Sequence, residues 1–94
     1  MTDIKHISDN KGGTFIYEKE GTKLAEMVYV MAGASKMIIE HTDVDESLKG
    51  KGIGKELLAA LVNFSREKQI KVIPLCPFAN ATLNKTKEWH DVLA

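Results

Sequence analysis

The stretch "HTDVDESLKGKGIGKELL", residues 41–58, determines how the rest of the chain is interpreted. It begins at the end of an apolar strand pattern, passes through acidic loop residues and enters an amphipathic helix pattern. Between the two patterns, glycine occupies every second position, at Gly50, Gly52 and Gly54. Ordering glycine costs more backbone entropy than ordering any other residue, so this alternation indicates that something approaches the backbone closely.

The patterns on both sides of this loop predict a βαβ unit. Residues 36–44 form a strand pattern, and a helix pattern follows with apolar residues at Ile53, Leu57, Leu61 and Phe64. Residues 70–76, "IKVIPLC", form a short apolar run that predicts a buried fifth strand. A helical crossover makes the two strands parallel, so the glycine loop and Cys76 should face one crevice at the carboxyl edge of the sheet.

Pro74 interrupts the predicted fifth strand. Proline cannot donate a hydrogen bond to a neighbouring strand, so a bulge or a splayed edge is expected there.

The remainder of the chain completes an α/β (α+β) domain that spans residues 1–94. Turn signals separate strand patterns at residues 4–8, 14–19 and 24–32, which predicts an antiparallel meander before the crossover. Residues 78–94 predict a short polar C-terminal helix. The expected fold is a mostly antiparallel five-stranded sheet with one crossover helix and this last helix.

The composition of the chain argues against several classes of protein. The chain has 94 residues, 13 basic and 13 acidic side chains, and a pI near 6.8, which argues against general nucleic-acid binding. No apolar run is long enough to cross a membrane, and the first residues lack a signal-peptide pattern. A single cysteine excludes an internal disulfide, and the chain is expected to be cytoplasmic.

The glycine loop predicts an anion site. Backbone N–H groups that precede a helix, together with the helix dipole and nearby lysines, attract phosphate. The alternative is a tight turn without a ligand, but one glycine would suffice for that. The ATPase P-loop pattern fails because Lys49 stands five residues before Gly54 and Glu56 follows Lys55. The dinucleotide pattern fails because Lys55 occupies the last glycine position.

The order that fits is R/Q-x-x-G-x-G/A, which residues 49–54 fill as "KGKGIG". With the preceding strand, the following helix and the "VIPLCPFA" segment, the loop resembles the pyrophosphate loop of the GNAT superfamily of N-acetyltransferases, and in particular a small-domain branch. The resemblance covers roughly residues 36–80 and implies acetyl-coenzyme A as the co-substrate, with no metal.

The resemblance also implies which residues bind the cofactor. The backbone amides of the loop would hold the pyrophosphate, with Lys49 in the place of the usual Arg or Gln. Thr42, Asp43 and Val44 would contact the pantetheine arm in a splay between the fourth and fifth strands. Asn80 matches a position that often contacts the cofactor. The implied loop residues are Lys49, Gly50, Lys51, Gly52, Ile53, Gly54 and Lys55.

The candidate chemistry rests on Cys76 and His41. The superfamily commonly uses a tyrosine of the last helix as the acid, but "NATLNKTKEW" contains none. Cys76 is a possible substitute, as a proton donor or as a nucleophile, although a buried free cysteine is often only packing. His41 is a possible general base, or else a structural histidine beneath the loop, and it shares the strand end with Glu40 on the opposite face. The three histidines lack metal-ligand spacing.

The function expected from these features is acetyl-coenzyme A-dependent acetyl transfer to an amine of a small molecule, peptide or protein. The superfamily usually has two helices between its first strands, and this chain has only "DNKGG" there, so the acceptor site should be open. A non-catalytic acetyl-coenzyme A-binding regulatory module and a plain interaction domain are the alternatives. The chain is expected to be a monomer or weak homodimer with no nucleic-acid or membrane partner.

Overall fold

A computed structural model of the protein describes residues 4–94. Five strands, two α-helices and two 3-10 helices occur in this part of the chain. The predicted five-stranded fold with a crossover helix is confirmed, and the predicted C-terminal helix is divided into an α-helix and a 3-10 helix. The elements are β1 (Ile4–Ser8), β2 (Gly12–Lys19), β3 (Thr22–Met31), β4 (Lys36–Val44), a 3-10 helix (Glu46–Leu48), α1 (Ile53–Lys68), β5 (Lys71–Pro74), α2 (Pro77–Lys85) and a second 3-10 helix (Lys87–Val92).

The sheet follows chain order, β1-β2-β3-β4-β5. The first three pairings are antiparallel and only β4 pairs with β5 in parallel, so the prediction of a mostly antiparallel sheet is confirmed. The β2–β3 hairpin turns through Glu20 and Gly21, which both have positive φ, at 53° and 79°. Two positive φ values in a two-residue loop match the twist of the flanking strands.

The core lies on one face of the sheet, beneath α1. The α1 side chains that face the strands are fully buried, as the helical spacing of apolar residues predicts. Burial of this apolar surface is the main favourable term in folding. The principal core residues are Phe15, Met27, Tyr29, Met37 and Ile39 from the strands and Leu57, Leu58, Leu61 and Val62 from α1.

The opposite face of the sheet carries apolar side chains that stay partly exposed. Strand register places Val28 and Val30 of β3 on this face, beside Ile16 of β2 and Ile38 of β4. Ile7 on the edge strand is 61% exposed. Since α1 and the elements packed against it lie on the other side, we call this surface the helix-free face.

The parallel pairing ends early, and residues 40–44 of β4 continue without a β5 partner. β5 pairs with residues 36–39 of β4, and the amides of Leu75 and Cys76 then both donate to the carbonyl oxygen of Ile39. The irregularity predicted at Pro74, a bulge or a splayed edge, is therefore confirmed. The prediction that β5 extends to Cys76 is wrong, because proline ends the ladder and Cys76 caps α2 instead.

Candidate functional site

The glycine loop reverses the chain between β4 and α1 with two left-handed residues. Gly50 has φ 81° and Gly52, the N-cap of α1, has φ 77°. L-residues with side chains rarely adopt such torsions, so the turn itself requires glycine at these two positions. The expectation that a tight turn would need only one glycine is therefore wrong. Gly54 serves another purpose: a Cβ atom there would lie 2.7 Å from the ring of Phe78. The third glycine lets α2 lie directly against the first turn of α1.

A cavity of about 660 Å³ separates the loop from α2. This volume lies within the range typical of small-molecule sites. One wall comes from the end of β4 and the loop, and the other comes from one face of α2. The lining residues are Thr42, Asp43, Val44, Leu48, Lys49, Gly50, Gly52, Ile53, Gly54 and Lys55 on the first wall, and Phe78, Thr82 and Lys85 on the second.

Hydrogen bonds around Asp45 hold the acidic half of the loop. Its carboxylate accepts from the Ser47 hydroxyl at 2.5 Å and from the Ser47 amide at 3.0 Å, and these two bonds lower the pKa of Asp45. Asp45 thereby caps the short 3-10 helix whose last residue, Leu48, is buried against the cavity. At the exposed rim, the Lys49 ammonium lies 3.5 Å from the Glu46 carboxylate.

Cys76 lies behind the sheet end of the cavity. Its thiol is buried and donates a hydrogen bond to Oγ1 of Thr42, at an Sγ–Oγ1 distance of 3.2 Å. Thr42 itself lines the cavity. Cys76 is also the N-cap of α2.

His41 lies outside the cavity, on the helix-free face. Its side chain is 56% exposed, and Nε2 lies 3.8 Å from a carboxylate oxygen of Glu26. The interpretation of His41 as a structural histidine beneath the loop is therefore wrong. A register shift between Val28 and Tyr29 makes Glu40 an extra, bulged residue, so simple alternation of faces does not apply and Glu40 is exposed as well.

Most of the predicted cofactor-binding residues line one cavity, and two do not. Lys51 is exposed at the tip of the loop. Asn80 is the fourth residue of α2, and its side-chain amide donates to the carbonyl oxygen of Pro74 at 3.2 Å. Sequence reasoning missed Leu48 and, on the α2 wall, Thr82 and Lys85, whereas Phe78 beside Cys76 was a candidate for the pocket wall. The wall had a detectable signal, since its three residues, Phe78, Thr82 and Lys85, follow the i, i+4, i+7 spacing of one helix face.

Two structural features are absent from residues 4–94. These residues contain no group of three or more His, Cys, Asp or Glu side chains that could hold a metal ion. No helix among them is long and apolar enough to cross a membrane.

Comparison with known proteins places the chain among acetyltransferases. A sequence model of the family described as GCN5-related N-acetyl-transferase matches residues 14–92. The solution structure of a GCN5-like candidate N-acetyltransferase from Staphylococcus aureus is 33% identical, with a TM-score of 0.76, over 100% of this chain and 91% of that one. No curated protein matches.

Two larger structures share the fold at lower identity. A GNAT family acetyltransferase from Elizabethkingia anophelis, solved with acetyl-CoA bound, has a TM-score of 0.66 and 16% identity over 82% of this chain. The ribosomal-protein-S18-alanine N-acetyltransferase of Escherichia coli has a TM-score of 0.69 and 14% identity over 85%. This chain covers 53% and 54% of those two proteins, respectively.

Proposed function

Because the chain belongs to the GCN5-related N-acetyltransferase family, we propose that it binds acetyl-coenzyme A and transfers the acetyl group to an amine. The observation that carries this proposal is one cavity that extends from the glycine loop to Thr42, the residue that accepts a hydrogen bond from the buried Cys76 thiol. The cavity begins at Gly50 and Gly52 and ends at Thr42, whose hydroxyl oxygen is 3.2 Å from the Cys76 sulfur.

The residues present fit the cofactor. The positive φ values of Gly50 and Gly52 leave the loop backbone without side chains on the cavity rim, which suits a diphosphate held by amides from residues 49–55. Residues 40–44 of β4 extend past the last β5 pair, so the backbone of Thr42, Asp43 and Val44 is available to a pantetheine amide. The Elizabethkingia anophelis structure with acetyl-CoA supports the same ligand for this fold.

Acetyl-coenzyme A supplies the acetyl group as a thioester, which an amine attacks at the carbonyl carbon while a thiolate leaves. The chain's own part is to orient the arm through the β4 backbone and to supply a proton to the departing sulfur. Tyrosine is absent after Tyr29, so Cys76 is the proposed source of that proton. In a second form of the proposal, the Cys76 sulfur first takes the acetyl group, its proton goes to the leaving thiolate, and the amine then attacks the acetylated cysteine.

His41 is proposed to accept the proton that the attacking amine loses. The helix-free face has no helix over it among the described residues, so an amine on a peptide or protein can approach the sheet from that side. His41 lies on this face beside Glu26, within 3.8 Å, and an imidazole is suited to proton transfer near neutral pH.

The test compares the wild-type chain with the Cys76→Ala variant in acetyl-coenzyme A consumption, using a panel of peptide and small-molecule amines. We expect amine-dependent release of free coenzyme A from the wild type and a loss of at least about 100-fold in the variant, the usual lower scale for a lost acid–base group. Intact-protein mass spectrometry separates the two roles of Cys76, because only the second predicts an acetylated chain. Circular dichroism confirms that the variant folds.

The second candidate function is a regulatory module that binds acetyl-coenzyme A without turnover. The missing tyrosine favours it, since residues 80–89, "NATLNKTKEW", contain no tyrosine that could act as the acid. Tight cofactor binding with equal background hydrolysis in the wild type and Cys76→Ala would select the module. Absence of calorimetric heat with millimolar coenzyme A would reject both functions and leave a plain interaction domain.

A further inference from the structure

The α2 wall carries one cation, Lys85, that has no hydrogen-bond or ion-pair partner among residues 4–94. Phe78, Thr82 and Lys85 form one face of α2 and lie across the cavity from the glycine loop. The close approach of the Phe78 ring to Gly54 fixes this face relative to the first turn of α1. The Lys85 side chain is therefore held at the cavity wall by the helix that carries it.

Three lysines line the cavity, and two of them have neighbours that engage them. Lys49 lies 3.5 Å from the Glu46 carboxylate, and the Lys55 ammonium lies 5.9 Å from the centre of the Trp89 ring. Lys85 forms no hydrogen bond or ion pair with residues 4–94. An ammonium group that faces a ligand cavity without an internal partner is available to an anionic group of the ligand.

Lys85 lies at the end of the cavity away from Cys76. From Pro77 to Lys85, the first and last of the nine residues of α2, the helix axis advances by about 12 Å, at 1.5 Å per step. This end is also where α1 and the last 3-10 helix meet, as the contact between Lys55 and Trp89 shows. The distance is too long for Lys85 to serve the sulfur beside Thr42, so its charge faces the opposite part of the ligand.

We propose that Lys85 binds the ribose 3′-phosphate of coenzyme A and lets the protein distinguish coenzyme A from dephospho-coenzyme A. The inference rests on the proposed function. Coenzyme A carries a diphosphate and a separate 3′-phosphate, and the amides of residues 49–55 account only for the diphosphate. The 3′-phosphate is a compact dianion, and an ammonium point charge suits it.

The experiment measures the affinity of both ligands by titration calorimetry for the wild type, Lys85→Gln and Lys87→Gln. Lys87 is exposed two residues further along and does not line the cavity, so its variant is a matched control for the loss of one positive charge. We expect the wild type to prefer coenzyme A by at least about tenfold, the lower end of the scale of one charge-assisted contact. Lys85→Gln should lose this preference by weakening coenzyme A alone, whereas Lys87→Gln and Lys85→Arg should keep it.

The outcomes separate this inference from the proposed function. Equal affinity of the wild type for the two ligands would overturn the role of Lys85 while leaving the cofactor site intact. Failure of the folded wild type to bind either ligand would overturn the site itself. A Lys85→Gln variant that keeps the preference but loses acetyl transfer, with a shifted pH profile, would assign Lys85 to proton transfer and contradict the phosphate role.

Discussion

Different physical constraints require glycine at different positions of this chain. Gly50 and Gly52 adopt left-handed torsions, whereas Gly54 has a neighbour that leaves no room for a side chain. Gly33 in the β3–β4 turn has a φ of 87° and, like Gly52, has no atom within 4 Å of an added Cβ. Gly33 and Gly52 therefore share the same backbone strain on substitution, and only Gly52 lines the cavity.

Gly52→Ala should weaken coenzyme A binding by at least about tenfold, whereas Gly33→Ala should leave it unchanged. In both variants an alanine in the left-handed region costs about 1–2 kcal/mol of unfolding free energy. Only at position 52 does the added methyl group enter the proposed phosphate site. Urea unfolding measures the shared cost and calorimetry measures the affinity. Equal affinity in the two variants would count against the loop as the phosphate site.

His6 is the residue whose titration should affect stability near neutral pH. Its ring stacks on Phe15 with centroids 4.0 Å apart, and Nε2 lies 2.7 Å from the Tyr29 hydroxyl. Burial lowers the pKa of His6 from its ordinary value of 6.5, because the charged form loses hydration. The unfolded chain then binds a proton at a higher pH than the folded chain does.

The His6 contribution to the unfolding free energy should be complete above pH 6.5 and should decrease as the pH falls below it, towards the lowered pKa. Urea titrations between about pH 7.5 and 5.5, on either side of the ordinary histidine pKa of 6.5, measure how steeply the unfolding free energy changes with pH. His6→Gln should flatten the slope, because glutamine has no group that titrates in this range. An unchanged slope in His6→Gln would show that another group is responsible.

At the scale of elements, α1 ends in a tight hydrogen-bonded turn that glycine usually fills. The Gln69 amide donates to the carbonyl oxygen of Arg66, and the Ile70 amide donates to that of Ser65. This is the Schellman arrangement, and Gln69 holds its left-handed position with φ 57° and ψ 48°. A non-glycine residue therefore carries backbone strain at the point where the crossover returns to β5.

Gln69→Gly should raise the unfolding free energy by about 0.5–1 kcal/mol. The gain comes from relief of the backbone strain, and it is reduced because glycine has more conformational entropy in the unfolded chain. Gln69→Ala keeps the strain and should change stability by less than about 0.5 kcal/mol. Urea denaturation of both variants makes the comparison. A glycine variant no more stable than the alanine variant would mean that the turn is not strained.

At the scale of the molecule, one face of the sheet supports the core and the other remains open. Met27 is fully buried beneath α1, whereas Val28, the next residue in β3, lies partly exposed on the helix-free face. The same face carries His41, where the acceptor amine is proposed to approach. The face beneath α1 therefore provides most of the stability, and the helix-free face is open to the acceptor amine that is proposed to approach it.

Truncation of these two neighbours should have unequal costs. Met27→Ala should lower the unfolding free energy by about 2–5 kcal/mol through the cavity it leaves, and Val28→Ala by only about 1 kcal/mol. Equilibrium urea unfolding at low protein concentration gives both values. A similar loss in the two variants would show that the helix-free face is covered in solution.

The sequence by itself determined the order and kind of the elements and the position of the glycine loop. These features follow from local rules: residue periodicity sets strand or helix, glycine permits the turn before α1, and Pro74 ends the ladder with β4. A family resemblance carried on residues 49–54 then indicated the cofactor class, and most of the residues it implied line one cavity.

Only the tertiary structure decided how distant residues meet. The packing of α2 after β5 decides three of these arrangements. Cys76 contacts Thr42, Phe78 lies over Gly54, and Lys85 lies at the far end of the cavity. The bulge at Glu40 likewise moved His41 away from the loop. Packing between separate elements and the register between strands are set by the whole core, so no local pattern in the chain could specify them.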